Sequence, residues 1–561
     1  MKKNKVRLFF ITILVVLWFM VIEGRLVWLQ LVKHREFSQQ GEYLTKALVK
    51  QEPKRGKICD RNGEELARTI TTYSVFARPQ FIKDYHSVAL QLASILNRDT
   101  KELKNTISQN KKFVWVARHI SNTEVVDQLY QKRISGIEIV TEPLRYYPYG
   151  ALACQTVGWI NSYDEVRSGI EYQFDGVLRG QNTAPKRSRW FTDEVVAARD
   201  KSQAWYNGAN VYLTIDTTLQ SIAQDELRHA IEKTKAKHGS VIIQEPRTGE
   251  ILAITSWPEF DGNKPATIMD DTLSNFCVSE FFEPGSTLKP FVATAILECG
   301  VAEPGRLIDC ENGVWKDAPG GPINDYTPNE QLTFREVVEH SSNIGMAKLG
   351  QELGAVRMYR CLRDFGFGNL TGIELPGETS GILRRPGRWS ETSTLCIAFG
   401  QEIAVTGVQL VNAFSSIANG GLLMEPYVVK KIVYPDGRIV SETRPHITRR
   451  VIQRQTASTV TEFLEGVVLR GSGKPAYISG WRVAGKTGTA QKFDIKIGKY
   501  SRDRYVSSFV GFVPVSKPEL TILVVLDEPY GQRLGSVVAA PVFGRIARRA
   551  MAYWHSQHIS G

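Results

Sequence analysis

The chain has 561 residues and a mass of 63.0 kDa, which gives it room for two or more domains and at least one large core. Its hydrophobic share of 42% and charged share of 23% are ordinary for a globular protein. The net charge of +12 is spread along the sequence without a basic and aromatic stripe, so we expect no nucleic-acid partner. Seven cysteines without C-x-x-C spacing exclude a disulfide-built scaffold, and nine histidines without an H-E-x-x-H pattern predict no metal and no cofactor. Cys299 and Cys310 lie closest together, but nothing in the sequence supports a bridge between them.

The N-terminus is typical of a membrane anchor. Four basic residues among the first seven precede residues 8–22, which are apolar apart from Thr12. That run would span about 22 Å at ~1.5 Å per residue, less than the ~30 Å hydrocarbon core, so the predicted anchor helix continues to residue 31. No small-residue cleavage site follows, so the anchor should be retained. The basic flank should keep residues 1–7 in the cytoplasm as a tail, which places the body outside the cytoplasmic (inner) membrane. Glu23 and Arg25 either reach the headgroups or face a second membrane protein.

Residues 45–205 begin with a strand signal and continue with helical patterns. KRGKICDRNGEELARTI predicts two strands around an Asn62-Gly63 turn. Residues 85–135 follow helical periodicity, as in VALQLASILN. Glycine- and tyrosine-rich connections follow, and the turn residues in WYNGAN predict a domain boundary near residue 205.

Residues 206–561 predict an α+β domain. The strand VYLTID precedes a helix over TTLQSIAQDELRHAIEKTKAK, and GSVIIQEPRTGEILAITSWP has the pattern of a hairpin. A largely helical stretch comes next, then three strands (WRVAGKTGTAQ, YVSSFVGFVPV, ELTILVVLDEP) and a last helix from about Pro541. This order predicts one mixed sheet that is interrupted by a helical insertion.

The stretch FFEPGSTLKPFVATAIL breaks the usual rules for a helix start. Ser286 and Lys289 share a face at a spacing of three, and with no histidine nearby Lys289 is the candidate base for the Ser286 hydroxyl. The base must be neutral, so burial and a nearby positive group, here the partial charge of the helix N-terminus, must lower its pKa from the ordinary ~10.4 to about 7. Pro290 lacks the N–H that would bond to the Ser286 carbonyl, so we expect this turn to depart from α-helical bonding.

The spacing alone is a weak signal. Ser108 and Lys111 have the same spacing in the polar stretch NTISQNKKF, where we expect solvated surface.

Two further motifs accompany Ser286 and Lys289. HSSNIGMAKLG places Ser341, Ser342 and Asn343 at the head of an apolar helix, where an N-cap is the alternative interpretation. GKTGTAQK places Lys486 and the residues 487–489 on a strand, and its central glycine indicates close approach of another backbone or a ligand.

In this order, the three motifs are the signature of penicillin-binding proteins and class A β-lactamases. The chain resembles a class B penicillin-binding protein, a peptidoglycan D,D-transpeptidase, and most of all the septal FtsI-type division enzymes, chiefly through GQEIAVT and KTGTAQK. Ser-Ser-Asn departs from Ser-Asp-Asn at a position that varies in the wider family. The resemblance implies a β-lactamase-like α+β transpeptidase domain over 206–561, with a mainly antiparallel sheet, flanking helices and a helical insertion. An anchor helix over 8–31 and an extended pedestal (dimerisation-like) domain over 45–205 would precede it.

The resemblance also implies roles for single residues. Ser286 would be the acylated nucleophile, Lys289 its general base, and Ser341 the relay for protons to the leaving D-alanine and from the incoming amine. The backbone N–H groups of Ser286 and Thr489 would form the oxyanion hole.

The remaining motif residues would bind the donor peptide. Asn343 would hydrogen-bond its backbone, and Lys486 would supply positive potential. The hydroxyls of Thr487 and Thr489 would hold its terminal carboxylate, with Gly488 between them allowing close approach.

The resemblance implies peptidoglycan stem peptides as substrates and β-lactams as inhibitors. It also implies that the anchor and pedestal contact a membrane glycosyltransferase and division proteins. The motifs leave open an elongation-specific transpeptidase, a D,D-carboxypeptidase that uses water as acceptor, and a non-catalytic division scaffold. A β-lactamase is disfavoured because no additional carboxylate base of the class A kind is identifiable in the sequence.

Overall fold

A computed structural model describes residues 2–28, 53–109, 111–161, 165–180, 207–494 and 497–559. The chain divides into two compact units, residues 1–53 and 54–561. The first unit contains helix α1 (Lys2–Val27), and the Arg25 guanidinium lies 4.5 Å from the ring centre of Trp28. No helix among the described residues combines the length and apolar character that crossing a membrane requires. The last residues of the predicted anchor, 29–31, and the predicted start of the pedestal, 45–52, lie outside the described residues.

The second unit begins with the predicted strand pair. The elements up to residue 178 are β1 (Ile58–Cys59), β2 (Glu65–Ala77), α2 (Tyr85–Leu96), α3 (Thr100–Ile107), β3 (Val114–Ile120), α4 (Thr123–Lys132), β4 (Ile137–Tyr146), α5 (Cys154–Val157), α6 (Gly169–Gln173) and α7 (Asp175–Leu178). The turn between β1 and β2 forms because Asp60 Oδ1 accepts hydrogen bonds from the N–H groups of Asn62 and Glu64, at 2.8 and 2.9 Å. Strand β3 was not predicted, because its residues lie between two helices inside the helical stretch.

The remaining elements follow the predicted order. A strand, a helix and a hairpin come first, namely β5 (Asn210–Leu213), α8 (Thr217–Thr234), β6 (His238–Gln244) and β7 (Ile251–Trp257). The insertion contains α9 (Asp270–Leu273), α10 (Phe276–Ser279), β8 (Phe281–Phe282), α11 (Lys289–Glu298), β9 (Leu307–Asp309), β10 (Val314–Trp315), β11 (Ile323–Asn324), β12 (Gln331–Thr333), α12 (Phe334–Glu339), α13 (Asn343–Leu353), α14 (Ala355–Asp364), α15 (Ser393–Ala398), β13 (Val405–Thr406), α16 (Gly407–Ala418), β14 (Leu422–Met424), β15 (Val429–Val433), β16 (Ile439–Glu442), β17 (Ile447–Arg450) and α17 (Arg454–Leu469). The chain ends with β18 (Ala484–Asp494), β19 (Lys499–Val513), β20 (Leu520–Asp527), α18 (Gly535–Val538) and α19 (Ala540–Ile559).

The central sheet has five strands in the order β18–β19–β20–β6–β7. Every neighbouring pair is antiparallel, so the prediction of a mixed sheet is wrong. A parallel pair requires a crossover connection, whereas β6–β7 and β18–β19–β20 are joined consecutively as hairpins. The insertion lies between β7 and β18, as predicted.

A second sheet combines strands from both sides of residue 206. Its order is β16–β15–β5–β1–β2–β3, and β4 also pairs with β2. Strand β5, predicted from VYLTID, pairs parallel with β1 and antiparallel with β15. The predicted boundary near 205 lies outside the described residues.

Helix α11, which follows the Ser286 turn, lies in the middle of the core. Its residues from Lys289 to Ile296 are all buried. The Phe291 ring makes edge-to-face contacts with Phe365, Phe367 and Phe414, at centroid distances of 4.8, 5.1 and 5.3 Å. A helix that is apolar on nearly every face is stable only in such a setting, and this packing fixes the start of α11 in place.

Candidate active site

The Ser286 turn is a 3-10 turn and not part of the α-helix. It covers Gly285–Leu288, and α11 begins at Lys289 with Pro290 as its second residue. The Ser286 carbonyl accepts a hydrogen bond from the Lys289 N–H, three residues on, because Pro290 has no N–H to offer. The expected departure from α-helical bonding is thus observed, and it leaves Ser286 partly exposed on a tight turn.

The loop that contains Gly400 packs against this turn and hydrogen-bonds to it. The N–H of Gly285 donates to the carbonyl of Gly400 at 3.0 Å, and Gly285 has a φ of +54°. A Cβ added at Gly400 would lie 1.9 Å from the Gly285 carbonyl oxygen, so only glycine fits there. The GQE segment of the sequence therefore supports the candidate nucleophile.

Lys289 points into a buried polar cluster. Its side chain has no solvent exposure, and Nζ donates to Ser341 O at 2.6 Å, Asn343 Oδ1 at 2.8 Å and Ser341 Oγ at 3.3 Å. Burial lowers the pKa of Lys289 to about 7, against an opposing attraction from Asp325. The depressed pKa that a lysine base requires is therefore present.

In the Ser341–Asn343 segment, one residue caps a helix and the other two contact Lys289. Ser342 is the N-cap of α13 and accepts from the Gly345 N–H at 2.9 Å, so the capping interpretation holds for this residue. Ser341 and Asn343, on either side, face Lys289 instead. Ser341 adopts a φ of +64°, which is uncommon for a residue with a side chain and is typical of functional sites.

Asp325 holds this segment and was not identified from the sequence. Its carboxylate accepts hydrogen bonds from the Ser342 hydroxyl and from the N–H groups of Asn343 and Ile344. An anion at a helix N-terminus is favourable, and here it also fixes the two residues that contact Lys289. Asp325 lies in a glycine- and proline-rich loop with no local signal that links it to α13.

Lys486, on β18, reaches the same hydroxyl from the other side. Its side chain has no solvent exposure, and its Nζ lies 2.8 Å from Ser341 Oγ and 3.3 Å from the Thr487 carbonyl. Burial and the neighbouring Lys289 both lower the pKa of Lys486 well below its ordinary value. Two buried ammonium groups sharing one hydroxyl repel each other, so the free site favours a low total charge.

The rest of the KTGT segment runs along the Ser286 turn. The hydroxyl of Thr487 bonds with Ser472 Oγ at 2.8 Å, and Thr489 Oγ1 accepts from the Gly535 N–H at 2.9 Å. A Cβ added at Gly488 would lie 2.8 Å from Thr287 Cγ2 and 2.9 Å from the Pro284 carbonyl. The close backbone approach predicted for this glycine is therefore confirmed. Ser472, like Asp325, was not identified from the sequence.

The structure thus brings the three sequence motifs together in one place. The second S-x-x-K pair, Ser108 and Lys111, lies exposed on the surface as expected. Cys299 and Cys310 are not bridged, since all seven cysteines are free thiols. In the parts of the chain that the structure covers, no group of His, Cys, Asp or Glu could hold a metal ion.

This arrangement suits covalent acyl transfer. A serine hydroxyl lies on a partly exposed turn, and an amine that is half neutral near pH 7 begins the helix that follows. A second hydroxyl connects that amine to another lysine. Such a set can deprotonate a serine nucleophile and return the proton to a leaving amine.

Comparison with known proteins agrees with this chemistry. Residues 239–548 match the penicillin-binding protein transpeptidase domain, and residues 50–213 match the penicillin-binding protein dimerisation domain. Stage V sporulation protein D of Bacillus subtilis is 31% identical over 97% of this chain and 85% of its own length. Peptidoglycan D,D-transpeptidase FtsI of Escherichia coli K12 is 31% identical over 93% of this chain and 87% of its own length.

The fold is similar to that of solved structures as well. Penicillin-binding protein 3 of Mycobacterium tuberculosis, complexed with aztreonam, is 28% identical with a TM-score of 0.69, over 90% of this chain and 97% of that one. The motifs, their convergence around two buried lysines, and these similarities agree. The chain therefore belongs to the class B penicillin-binding proteins.

Proposed function

We propose that the protein is a peptidoglycan D,D-transpeptidase that cross-links stem peptides during wall synthesis at the division septum. Three relatives, from Neisseria meningitidis, Neisseria gonorrhoeae and Escherichia coli, carry names that include peptidoglycan D,D-transpeptidase. The main support for the proposal is that Lys289 and Lys486 both hydrogen-bond to Ser341 Oγ, beside the Ser286 turn.

In the acylation step, Ser286 Oγ attacks the carbonyl of the penultimate D-alanine of the donor. Its proton passes to the neutral Lys289 amine, and the backbone N–H groups of Ser286 and Thr489 stabilise the oxyanion. The C–N bond to the terminal D-alanine breaks, and its amine takes up a proton that Ser341 relays. A C–O bond to Ser286 replaces the peptide bond.

In the second step, an amine of the acceptor stem attacks the acyl carbonyl. The amine loses one proton through Ser341 to Lys289, the new amide bond forms as the C–O bond to Ser286 breaks, and Ser286 Oγ recovers a proton from Lys289. Before acylation, Asn343 orients the donor backbone, while Thr487 and Thr489 hold the carboxylate of its terminal D-alanine, with Gly488 between them. This carboxylate favours the charged form of Lys486 while it is bound, and it leaves with the D-alanine.

The test is intact-mass analysis of the full-length chain in detergent after addition of penicillin. We expect a persistent adduct on the wild-type chain and none on the Ser286→Ala variant. An adduct that forms and clears within minutes would indicate a β-lactamase. Absence of an adduct on both proteins would contradict the proposal.

We also propose that residues 8–31 anchor the protein in the cytoplasmic membrane, with residues 1–7 in the cytoplasm and the catalytic part outside. Apolar side chains of α1 that lie 62–69% exposed, such as Leu14, Trp18 and Val21, support this proposal. Binding of a membrane glycosyltransferase would then use the anchor face that carries Arg25. Arg25→Glu should reduce co-purification of that partner and leave penicillin acylation intact, whereas loss of both would indicate misfolding.

A further inference from the structure

An ion pair holds the helix before the Ser341–Asn343 segment to the loop before β18. Helix α12 ends at Glu339, two residues before Ser341, and Arg470 directly follows α17. The Glu339 carboxylate is 2% exposed and accepts two hydrogen bonds from the Arg470 guanidinium, from Nη2 at 2.5 Å and from Nε at 3.2 Å. A pair with two parallel bonds fixes orientation as well as distance. Neither residue takes part in the steps of acyl transfer.

The loop of residues 470–473 is shaped to fit around Glu339. The N–H of Ser472 donates to the Glu339 carbonyl at 3.3 Å, so Glu339 contacts this loop through its backbone as well as its side chain. A Cβ added at Gly466 would lie 2.0 Å from Glu339 Oε1, and one added at Gly471 would lie 2.0 Å from the Glu339 carbonyl oxygen. Two glycines therefore leave the space that Glu339 occupies.

Ser472 connects this loop to the KTGT segment. Its Oγ lies 2.8 Å from Thr487 Oγ1. A carboxylate only accepts hydrogen bonds, so Thr487 has to give its proton to the donor carboxylate and accept a hydrogen bond from Ser472. Thr489 has the same arrangement, since its Oγ1 accepts from the Gly535 N–H at 2.9 Å. Each threonine hydroxyl therefore has a donor within the protein that leaves its own proton available for a carboxylate.

We propose that Glu339 and Arg470 are positioning residues for recognition of the donor carboxylate. They hold residues 470–473 in the place where Ser472 donates to Thr487. They thereby connect the segment that contains Ser341 to the segment that binds the carboxylate. The inference rests on the proposed transpeptidase function, in which the KTGT hydroxyls hold that carboxylate.

The test is the ratio of two acylation rate constants, measured by intact mass on the full-length chain in detergent, for a penicillin and for its methyl ester. This ratio reports recognition of the carboxylate, and it does not change when a variant only lowers the folded fraction. Two hydroxyl bonds to a charged group, each worth about tenfold, predict a wild-type ratio of about 100. Ser472→Ala should lower the ratio about tenfold, and Glu339→Gln, which keeps only one acceptor oxygen for Arg470, should lower it at least about threefold.

Glu462→Gln is the matched control. Glu462 on α17 pairs with Arg335 on α12 at 3.0 Å, so this pair joins the same two helices about one to two turns before the Glu339 pair. The control should keep the wild-type ratio. The double variant of Glu339→Gln and Ser472→Ala should lose no more than Ser472→Ala alone, because both substitutions act through Thr487.

Three results with the variants would overturn the inference: an unchanged ratio in Glu339→Gln, an equal fall in Glu462→Gln, or an additive loss in the double variant. Equal rate constants for the penicillin and its ester on the wild-type chain would overturn it as well, while acyl transfer by Ser286 would stand. Absence of penicillin acylation on the wild-type chain would instead contradict the proposed function.

Discussion

The titration of Lys289 gives a quantitative prediction for acylation. Burial places the pKa of Lys289 at about 7, and only the neutral amine accepts the Ser286 proton. The Lys289 amine is neutral in roughly one tenth of the molecules at pH 6 and in roughly nine tenths at pH 8. The second-order rate constant for acylation should therefore rise about tenfold between pH 6 and pH 8 and then level off.

The assay is the rate of labelling by a fluorescent penicillin between pH 5.5 and pH 9.5. The second-order rate constant reports the pKa of the free enzyme, which is the state that the structure describes. Lys111→Ala, at the surface copy of the motif, is the control and should give the wild-type profile. A rate that keeps rising tenfold per pH unit beyond pH 9 would mean that the base titrates like a solvated lysine, which would refute the burial argument.

Three substitutions test the surroundings of the site. Asp325→Asn removes a carboxylate that raises the pKa of Lys289, so the inflexion of the same profile should move to lower pH, and an inflexion at higher pH would contradict this. Gly488→Ala would place a Cβ 2.9 Å from the Pro284 carbonyl oxygen, just before the Ser286 turn. The free energy of unfolding, measured by thermal melting, should therefore fall by about 1–3 kcal/mol, and penicillin labelling should slow. Wild-type stability would contradict the close packing. Pro290→Ala restores an N–H that competes for the Ser286 carbonyl, so acylation should slow, and an unchanged rate would remove any role for the proline.

Local elements could be predicted from the sequence because their pairing is local. The β1–β2 and β6–β7 strand pairs have turn signals between their strands, and α8 has a clear helical period. Strand β3 and the partners of β5 could not be predicted, since they depend on contacts with distant segments. Strand β15, for example, pairs with β5 from more than two hundred residues away.

In the site, too, residues in local motifs could be predicted, whereas residues that act through long-range contacts could not. Ser286, Lys289, Ser341, Asn343 and Lys486 could be found because each belongs to a short motif, and the fold brings the motifs together. The residues that support them could not be found in this way. Asp325 bonds to α13 across 17 to 19 positions, and Ser472 meets Thr487 across 15, with no periodicity that connects them.

The hydroxyl of Ser341 connects the two buried lysines, Lys289 and Lys486. Its Oγ accepts from Lys289 and Lys486, which leaves its own proton for a third group. We infer that an arriving carboxylate stabilises the charge on Lys486 and that the proton comes from Lys289 through Ser341, so substrate binding itself neutralises the base. At saturating inhibitor, the acylation rate of a penicillin should therefore have its inflexion below pH 7, while that of its methyl ester should stay near 7. The free enzyme is common to both compounds, so only the bound state distinguishes them. Identical inflexions in stopped-flow measurements would show that the carboxylate does not influence the titration of Lys289.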